Sequence, residues 1–488
     1  MLTIEEIRQF IQDDMASEKK QHARKGQAYY EAHHDIKDYR VFYYNDDGEM
    51  VEDKYRSNVQ IPHPFFTELV DQATQYILSS EDSIIKSDMP ELQAHLDSYF
   101  NDNEDFMAEL SEVIDGCQAK GFDTMYAYKN AEGKTAFQWA DSLGVVEVRA
   151  KDTDDGCEYV IYHYVDRIEK GHKKIKRIQV WDKEQTWFYV QDGEGNIETD
   201  ESEPINPKPH TLYKQDGKDK IYYEGFGLIP FFRLDNNKKQ TSSLKPIKDI
   251  IDDYDIMSCG LSNNCIDFDS PIHLVRGYDG DDLNELQFNL KAKKVMGVGE
   301  DGGIETRTID IPYQARLTKL ELDERNIYRF GMGLNTSGLK DTNATTNVAI
   351  KAMYSLLDLK CSKLIIRLKQ FLRKLIKIVL DEVNKEEGTD FQMKDVYFNF
   401  KPEIMSNAQE NAQIELTEAQ RRQVEITTLM NLATVLDHET LMQAICEQLD
   451  ISYEDIKGKL PDPMEAENEI ISAQTALDEV GEDDANMG

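Results

Sequence analysis

The chain is 488 residues long, enough for several folded units of ordinary size. Hydrophobic residues at 40%, aromatics at 9% and only 13 Pro exclude disorder as the main state and a Pro-rich linker array. Acidic residues outnumber basic ones 93 to 56, a net charge of −37, which excludes the basic footprint with which a sequence-reading DNA binder neutralises phosphate.

The acidity is uneven, because residues 461–488 hold nine carboxylates and no Lys or Arg, the pattern of a solvated tail. The opening Met1-Leu-Thr-Ile-Glu-Glu-Ile-Arg has neither the basic nor the apolar region of a signal peptide, and no run of 18 apolar residues occurs, so neither secretion nor a membrane is expected. The six Cys (Cys117, Cys157, Cys259, Cys265, Cys361, Cys446) form no C-x-x-C pair and are expected as reduced thiols, without metal or other cofactor.

In chain order, residues 3–30 read as one helix with Ile4, Ile7, Phe10 and Ile11 on a face, followed by a hairpin turn at Tyr43-Tyr-Asn-Asp-Asp-Gly48. A second helix covers 64–78 through Phe65, Leu69, Ala73 and Ile77, and a third covers 91–120, ending at Gly121. From 122 to 233 the period changes to two, with turn signals at Asn130-Ala-Glu-Gly133 and Asp192-Gly-Glu-Gly195, which predicts an antiparallel β-rich block. Helix returns over 246–268, with Ile247, Ile250, Ile251, Tyr254, Leu261 and Cys265 on one stripe and Asp249, Asp252, Asp253 and Asn263 off it. Residues 271–312 read as a small α/β insert. A helix at 314–331 stops at Gly331-Met-Gly333, a polar loop follows, and a long helix runs over 347–384 before the strand-like Asp395-Val-Tyr-Phe-Asn-Phe400 and further helices to about 480.

Local motifs carry no catalysis. Gly297-Val-Gly299-Glu-Asp-Gly302 fits G-x-G-x-x-G, but strand-like residues follow where a helix N-terminus would have to receive a pyrophosphate, so it reads as a hairpin turn. Gly133-Lys-Thr135 resembles the end of a Walker A loop, yet Tyr128 stands where its first Gly belongs. His33 and His34 are adjacent and so point apart, Asp152-Thr-Asp-Asp-Gly156 has its Gly one place too early for an EF-hand, and no G-x-S-x-G elbow is present.

The informative feature is order: acidic amphipathic helix, α/β insert, helix, Gly-bounded polar loop, long helix. Such a helix pair is a rod with two working ends, and an acidic lining would let a duplex slide, because each Lys or Arg touching phosphate gains from counterion release. At these residues the sequence resembles the portal proteins of tailed double-stranded DNA phages, in their long-tailed, Gram-positive-phage branch, over about 25 to 400. The specific text is Tyr30-Glu-Ala-His-His-Asp-Ile36, Gly225-Phe-Gly-Leu-Ile-Pro-Phe-Phe-Arg-Leu-Asp-Asn-Asn237, Ile250-Ile-Asp-Asp-Tyr-Asp-Ile256, Asn326-Ile-Tyr-Arg-Phe-Gly331 and Ala349-Ile-Lys-Ala-Met-Tyr-Ser-Leu-Leu-Asp-Leu-Lys360.

The resemblance implies an α+β portal fold assembled as a ring, usually of twelve subunits, at one capsid vertex of the virion, built in the host cytoplasm. It divides the chain into a wing (1–243), a stem helix (244–268), a clip (269–313), a second stem helix (314–331), a tunnel loop (332–346), the wing's long helix and return strand (347–400), and a crown with its acidic tail (401–488). It implies that Asn335, Thr336, Ser337, Lys340, Asp341 and Thr342 lie near double-stranded DNA that passes without being read. Asp249, Asp252, Asp253 and Asn263 become candidates to face the channel. Arg276, Asp281, Asp282 and Glu285 become candidates for partner docking at the clip. The implied partners are the terminase motor, major capsid and scaffolding proteins, and the head-completion adaptor. Gly331, Gly333 and Gly338 would let the loop bend through positive φ. On the long helix, Lys351, Lys360, Lys363, Arg367, Lys369, Arg373, Lys374 and Lys377 suggest that it faces an acidic neighbour.

The alternatives are another head-tail connector or adaptor, the portal of a prophage-derived DNA-transfer particle, and an enzyme such as the packaging ATPase or a nuclease. The ATPase would need the Walker A loop that is absent.

Overall fold

The computed structural model describes residues 1–488 apart from 55, 81, 131–132, 150–155, 211, 215–220, 224–225, 270–271, 277–301, 309–311, 336–346, 401–407, 432–437 and 449–488. Two compact units divide it: residues 1–341 with 351–404, and residues 342–350 with 405–488.

The first unit opens with helices α1 (Ile4–Ala16) and α2 (Glu18–Tyr30). Expected as one helix, they part at Ser17, whose extended backbone ends α1 while its hydroxyl caps α2 at the Lys20 N–H. Strands β1 (Phe42–Tyr44) and β2 (Met50–Glu52) form the expected hairpin. Helix α3 (Phe65–Leu78), strand β3 (Ile85–Lys86) and helices α4 (Pro90–Leu96) and α5 (Glu104–Lys120) follow. The expected single helix over 91–120 is interrupted by a π turn at Asp97–Asn101 and restarts where Asn103 caps the Phe106 N–H at 3.1 Å. It ends at Gly121, where φ is +95°.

The period-two region gives β4 (Phe122–Lys129), β5 (Thr135–Ala140), β6 (Val145–Arg149), β7 (Cys157–Glu169), β8 (Lys173–Trp181), β9 (Gln185–Gln191), β10 (Ile197–Thr199), β11 (Lys208–Pro209), β12 (Leu212–Lys214), β13 (Ile221–Tyr223) and β14 (Phe231–Asp235). Strands β6 to β10 form one antiparallel meander with β11 beside β9, and β14-β4-β5 form a second antiparallel sheet. Helix α1 covers the meander through Ile7, against Val146, Ile161 and Ile178.

Next come α6 (Lys248–Phe268), the antiparallel pair β15 (Ile272–Arg276) and β16 (Gly303–Arg307), α7 (Tyr313–Gly331), α8 (Asn347–Glu387) and β17 (Tyr397–Phe398). The rest of the expected α/β insert, including the short helix near 282 and Gly297-Val-Gly299, lies outside the described residues. Helix α8 buries Leu364, Leu368, Phe371, Leu375 and Val379 in the largest core, shared with α3, α5 and β4. In the second unit, α9 (Ala408–Asn431) packs against α10 (His438–Gln448). No helix among the described residues is long and apolar enough to cross a membrane.

Candidate functional site

Helix α6 buries Ile251 and Cys259 on its core side, and Asp249 and Asp253 are exposed. Cys265, expected on the buried stripe, is exposed instead, because α6 has by that point run past the apolar cluster around Ile251 and Tyr254. Helix α7 runs antiparallel to α6: Ile327 shares a core with Ile251, Lys319 pairs with Asp253, and Arg316 lies against Gly260. Lys319 also binds the buried Asp323 one turn on, at 2.6 Å, so one ammonium bridges two carboxylates of the pair.

Sequence reasoning missed the main feature of α6. An extended segment runs along it and gives up alternate backbone N–H groups to side chains four residues apart on the helix. Ser57 donates to Asp267 (3.1 Å), Val59 to Asn263 (2.7 Å), Ile61 to the Cys259 Sγ (3.3 Å) and His63 to Asp255 (3.0 Å). Two extended residues advance roughly 6.6 Å and four helical residues roughly 6 Å, so the two repeats stay in register. The segment thereby satisfies N–H groups that have no strand partner.

Asp255 is the buried end of this ladder. Its two carboxylate oxygens accept from the Nδ1–H of His34 at 2.6 Å and of His63 at 2.7 Å. Burial alone would raise its pKa, but the two imidazole bonds outweigh that and hold the carboxyl below its ordinary value. His34 stacks on Tyr29 with ring centroids 4.5 Å apart, whereas His33 is exposed, so the adjacent pair does point apart. Ser258 Oγ lies 3.3 Å from the His63 Nε2. This Ser-His-Asp order has no catalytic setting, because Ser258 sits inside α6, where backbone N–H groups serve the helix and cannot form an oxyanion hole. The signal for Asp255 was legible: it lies midway between Ile251 and Cys259, on the stripe where a carboxylate must find partners.

The four stem candidates therefore differ. Asp249 is exposed. Asp252 accepts from the Tyr29 hydroxyl and from Lys248 at 2.6 Å, and Lys248 reaches Asp35 at 2.8 Å. Burial tends to raise the Asp35 pKa, but Lys248 and Lys25 bring it down to about 2. Asp253 is paired with Lys319, and Asn263 is a rung of the ladder.

At the C-terminal end of α7 the loop root is pinned. Gln72 of α3 accepts from the Leu334 N–H at 3.0 Å and donates to its carbonyl at 3.1 Å. Gly331 and Gly333 do not have positive φ, contrary to expectation; the left-handed residue is Met332, at +57°. Those glycines answer to space, because a Cβ on Gly333 would stand 2.1 Å from Leu69 and one on Gly331 2.6 Å from it. Asn335 is half-buried beside this root, while Thr336, Ser337, Gly338, Lys340, Asp341 and Thr342 lie outside the described residues. At the other end of the pair Arg276 is exposed, 4.0 Å from Glu305, and Asp281, Asp282 and Glu285 lie outside the described residues.

The cations of α8 divide as well. Lys360 turns inward, its ammonium 3.1 Å from the Leu69 carbonyl, and burial lowers its pKa to about 8. Lys369 and Arg373 lie over the rings of Phe400 and Phe398, while Lys363, Lys374 and Lys377 are exposed. Among the described residues no group of three His, Cys, Asp or Glu is placed to hold a metal ion.

The arrangement is a braced helix pair with a strand hairpin at one end and a fixed loop root at the other. Residues 9–452 match the family described as phage portal protein, SPP1 Gp6-like, and the chain belongs to that family. The portal protein of Bacillus phage SPP1 is 26% identical over 339 residues, covering 69% of this chain and 65% of the relative. That of Clostridium phage phiCD119 is 32% identical over 194 residues, covering 39% of this chain and 42% of the relative. The chain thus spans less than two thirds of the length of either. Among solved structures, the neck of a native GTA particle computed with C12 symmetry is similar at a TM-score of 0.38 and 11% identity, over 78% of this chain and 89% of that one.

Proposed function

We propose that this chain is one subunit of a portal ring, the channel at a capsid vertex through which double-stranded DNA is packaged and ejected, and that it does no chemistry on that DNA. The observation that carries the reading is the family match over residues 9–452, in a chain whose α6–α7 pair separates a strand hairpin from a pinned loop root. The wing, stem, clip, tunnel-loop and crown boundaries set out above are proposed with it. So are the twelvefold ring, the capsid and scaffolding contacts, and docking of terminase and then the head-completion adaptor at the clip around Arg276, Asp281, Asp282 and Glu285.

Within the stem, Asp249 is the best suited of the four acidic-face candidates to line the bore. Asp252 and Asp253 are already paired with Lys248 and Lys319, and Asn263 is turned inward. Native mass measurement tests the ring: closed oligomers are expected, with assembly that depends on salt because subunits this acidic must offset their repulsion. A subunit that stays alone at high concentration beside its capsid partners overturns the reading.

Lys340 is the one Lys or Arg in residues 332–346, with Asp341 beside it. One such Lys per subunit would grip a duplex loosely through repeated phosphate contacts. Lys340→Ala is expected to lower DNA retention in filled heads; unchanged retention and packaging yield would remove Lys340 from that role.

A further inference from the structure

Two surfaces of this chain are unfinished, and their chemistries are complementary. The first is the β1–β2 hairpin. Among the described residues it pairs with no other strand. Its register puts Phe42, Tyr44 and Met50 on one face, where they are 50, 74 and 63% exposed, with Tyr43 opposite Val51 on the other. The turn is nevertheless well built: the Asn45 side-chain oxygen accepts from the N–H of Asp47 at 3.1 Å and of Glu49 at 2.8 Å, and Gly48 takes φ of +76°. A lone two-stranded hairpin is marginal in water, so a shaped hairpin with both faces apolar and exposed calls for a cover. Residues 41–53 also carry five carboxylates and no Lys or Arg.

The second surface is the outer face of α8. Leu356, Leu359, Lys363, Ile366, Gln370, Arg373 and Lys377 are all exposed and recur in steps of three and four, the spacing that keeps one helical stripe turned toward one partner. The opposite face is buried in the main core. The stripe is apolar at one end, with Leu359 at 49% and Ile366 at 62% exposure, and basic at the other. From Ile366 to Arg373 is roughly 10 Å along the helix, and from Tyr44 to the acidic turn is roughly 7 Å along the strand. The apolar parts and the charged parts can therefore meet together.

Both surfaces are exposed in one subunit, so neither covers the other there. Two different, complementary patches on one chain make a head-to-tail contact, the kind that closes into a ring. We propose that the Phe42–Glu52 hairpin of one subunit docks on the Leu356–Lys377 stripe of the next copy, with Phe42, Tyr44 and Met50 against Leu359 and Ile366, and with Asp46, Asp47 and Glu49 against Arg373 and Lys377. The proposal rests on the ring reading above and names a contact within it.

Charge exchange tests it on the full chain. Arg373→Glu with Lys377→Glu, and separately Asp46→Lys with Asp47→Lys, are each expected to raise the protomer concentration needed for assembly by about a hundredfold, because like charges then face each other. The four substitutions together should restore assembly to within about threefold of the unaltered chain. All four positions are exposed, so each subunit should keep its far-ultraviolet dichroism, which is measured alongside. Either pair assembling at the unaltered midpoint, or a combined variant no better than its parents, overturns the contact while leaving the ring standing. An unaltered chain that never leaves the monomer overturns the ring and this contact with it.

Discussion

Lys120→Met is expected to destabilise the subunit by about 3–5 kcal/mol, the usual cost of stranding a buried charge. Lys120 and Asp123 are fully buried, 2.9 Å apart, where α5 turns into β4, and Lys120 also reaches Asp141 at 2.8 Å. Burial pulls the Lys120 pKa down, but the two carboxylates more than offset it and hold the ammonium above its ordinary value. Asp123 is bound on every side, accepting from the N–H groups of Thr124 and Ser142 and, at 2.8 Å, from the Trp139 indole. The packing was built around it, since a Cβ on Gly116 would stand 1.7 Å from its Oδ2. Without Lys120 the carboxylate keeps these bonds and loses its counter-charge. Adding Asp123→Asn removes that charge and keeps an acceptor for Thr124 and Ser142, so the double variant should recover part of the loss. Denaturant midpoints of the single and double variants check this; a double variant no more stable than Lys120→Met would mean that the pair's charge is not what holds the joint.

The elements most legible in the sequence were those whose side chains repeat with the backbone. The period of two over 122–233 became the meander, and the long helix expected over 347–384 became α8, which buries Leu364, Leu368, Phe371 and Leu375. The interruptions were less legible, because Ser17 and Asn103 act through caps that an apolar period does not register. The glycines at the loop root were noticed for the wrong reason: Gly331 and Gly333 are small because Leu69 needs the space, a fact about a residue more than 260 positions away. The ladder along α6 was hidden for a similar cause. Asp255, Cys259, Asn263 and Asp267 repeat every four residues, but their meaning depends on the remote segment that Ser57, Val59, Ile61 and His63 bring against them. Acidic residues on a helix that is expected to line a channel invite an outward reading. Here two of the five Asp on α6, Asp255 and Asp267, hold their own subunit's backbone.

Asp255→Ala should be as damaging as the loss of Lys120, and it carries a pH signature that a packing defect lacks. The substitution leaves the Nδ1–H of His34, the Nδ1–H of His63 and the His63 backbone N–H without their acceptor, a cost of about 3–5 kcal/mol. Because the carboxyl is held below its ordinary 3.8, the folded chain takes up this proton less readily than the unfolded one. The stabilisation it supplies is therefore complete above that value and is lost as the pH falls through the lower, folded one. Unfolding midpoints of the unaltered chain should fall steeply below about pH 4, and those of Asp255→Ala, already low at neutral pH, should fall less steeply over the same interval. Hydrogen exchange locates the effect: amides of 57–63 should lose protection first, because the ladder that orders them ends on this carboxylate. Parallel acid limbs in the two chains would contradict the assignment. If the ladder loosens before the subunit unfolds, α6 loses its brace along one side while its pairing with α7 through Ile251, Ile327 and Lys319 persists. Acid would then act on the fit between α6 and the segment beside it before it acts on the fold.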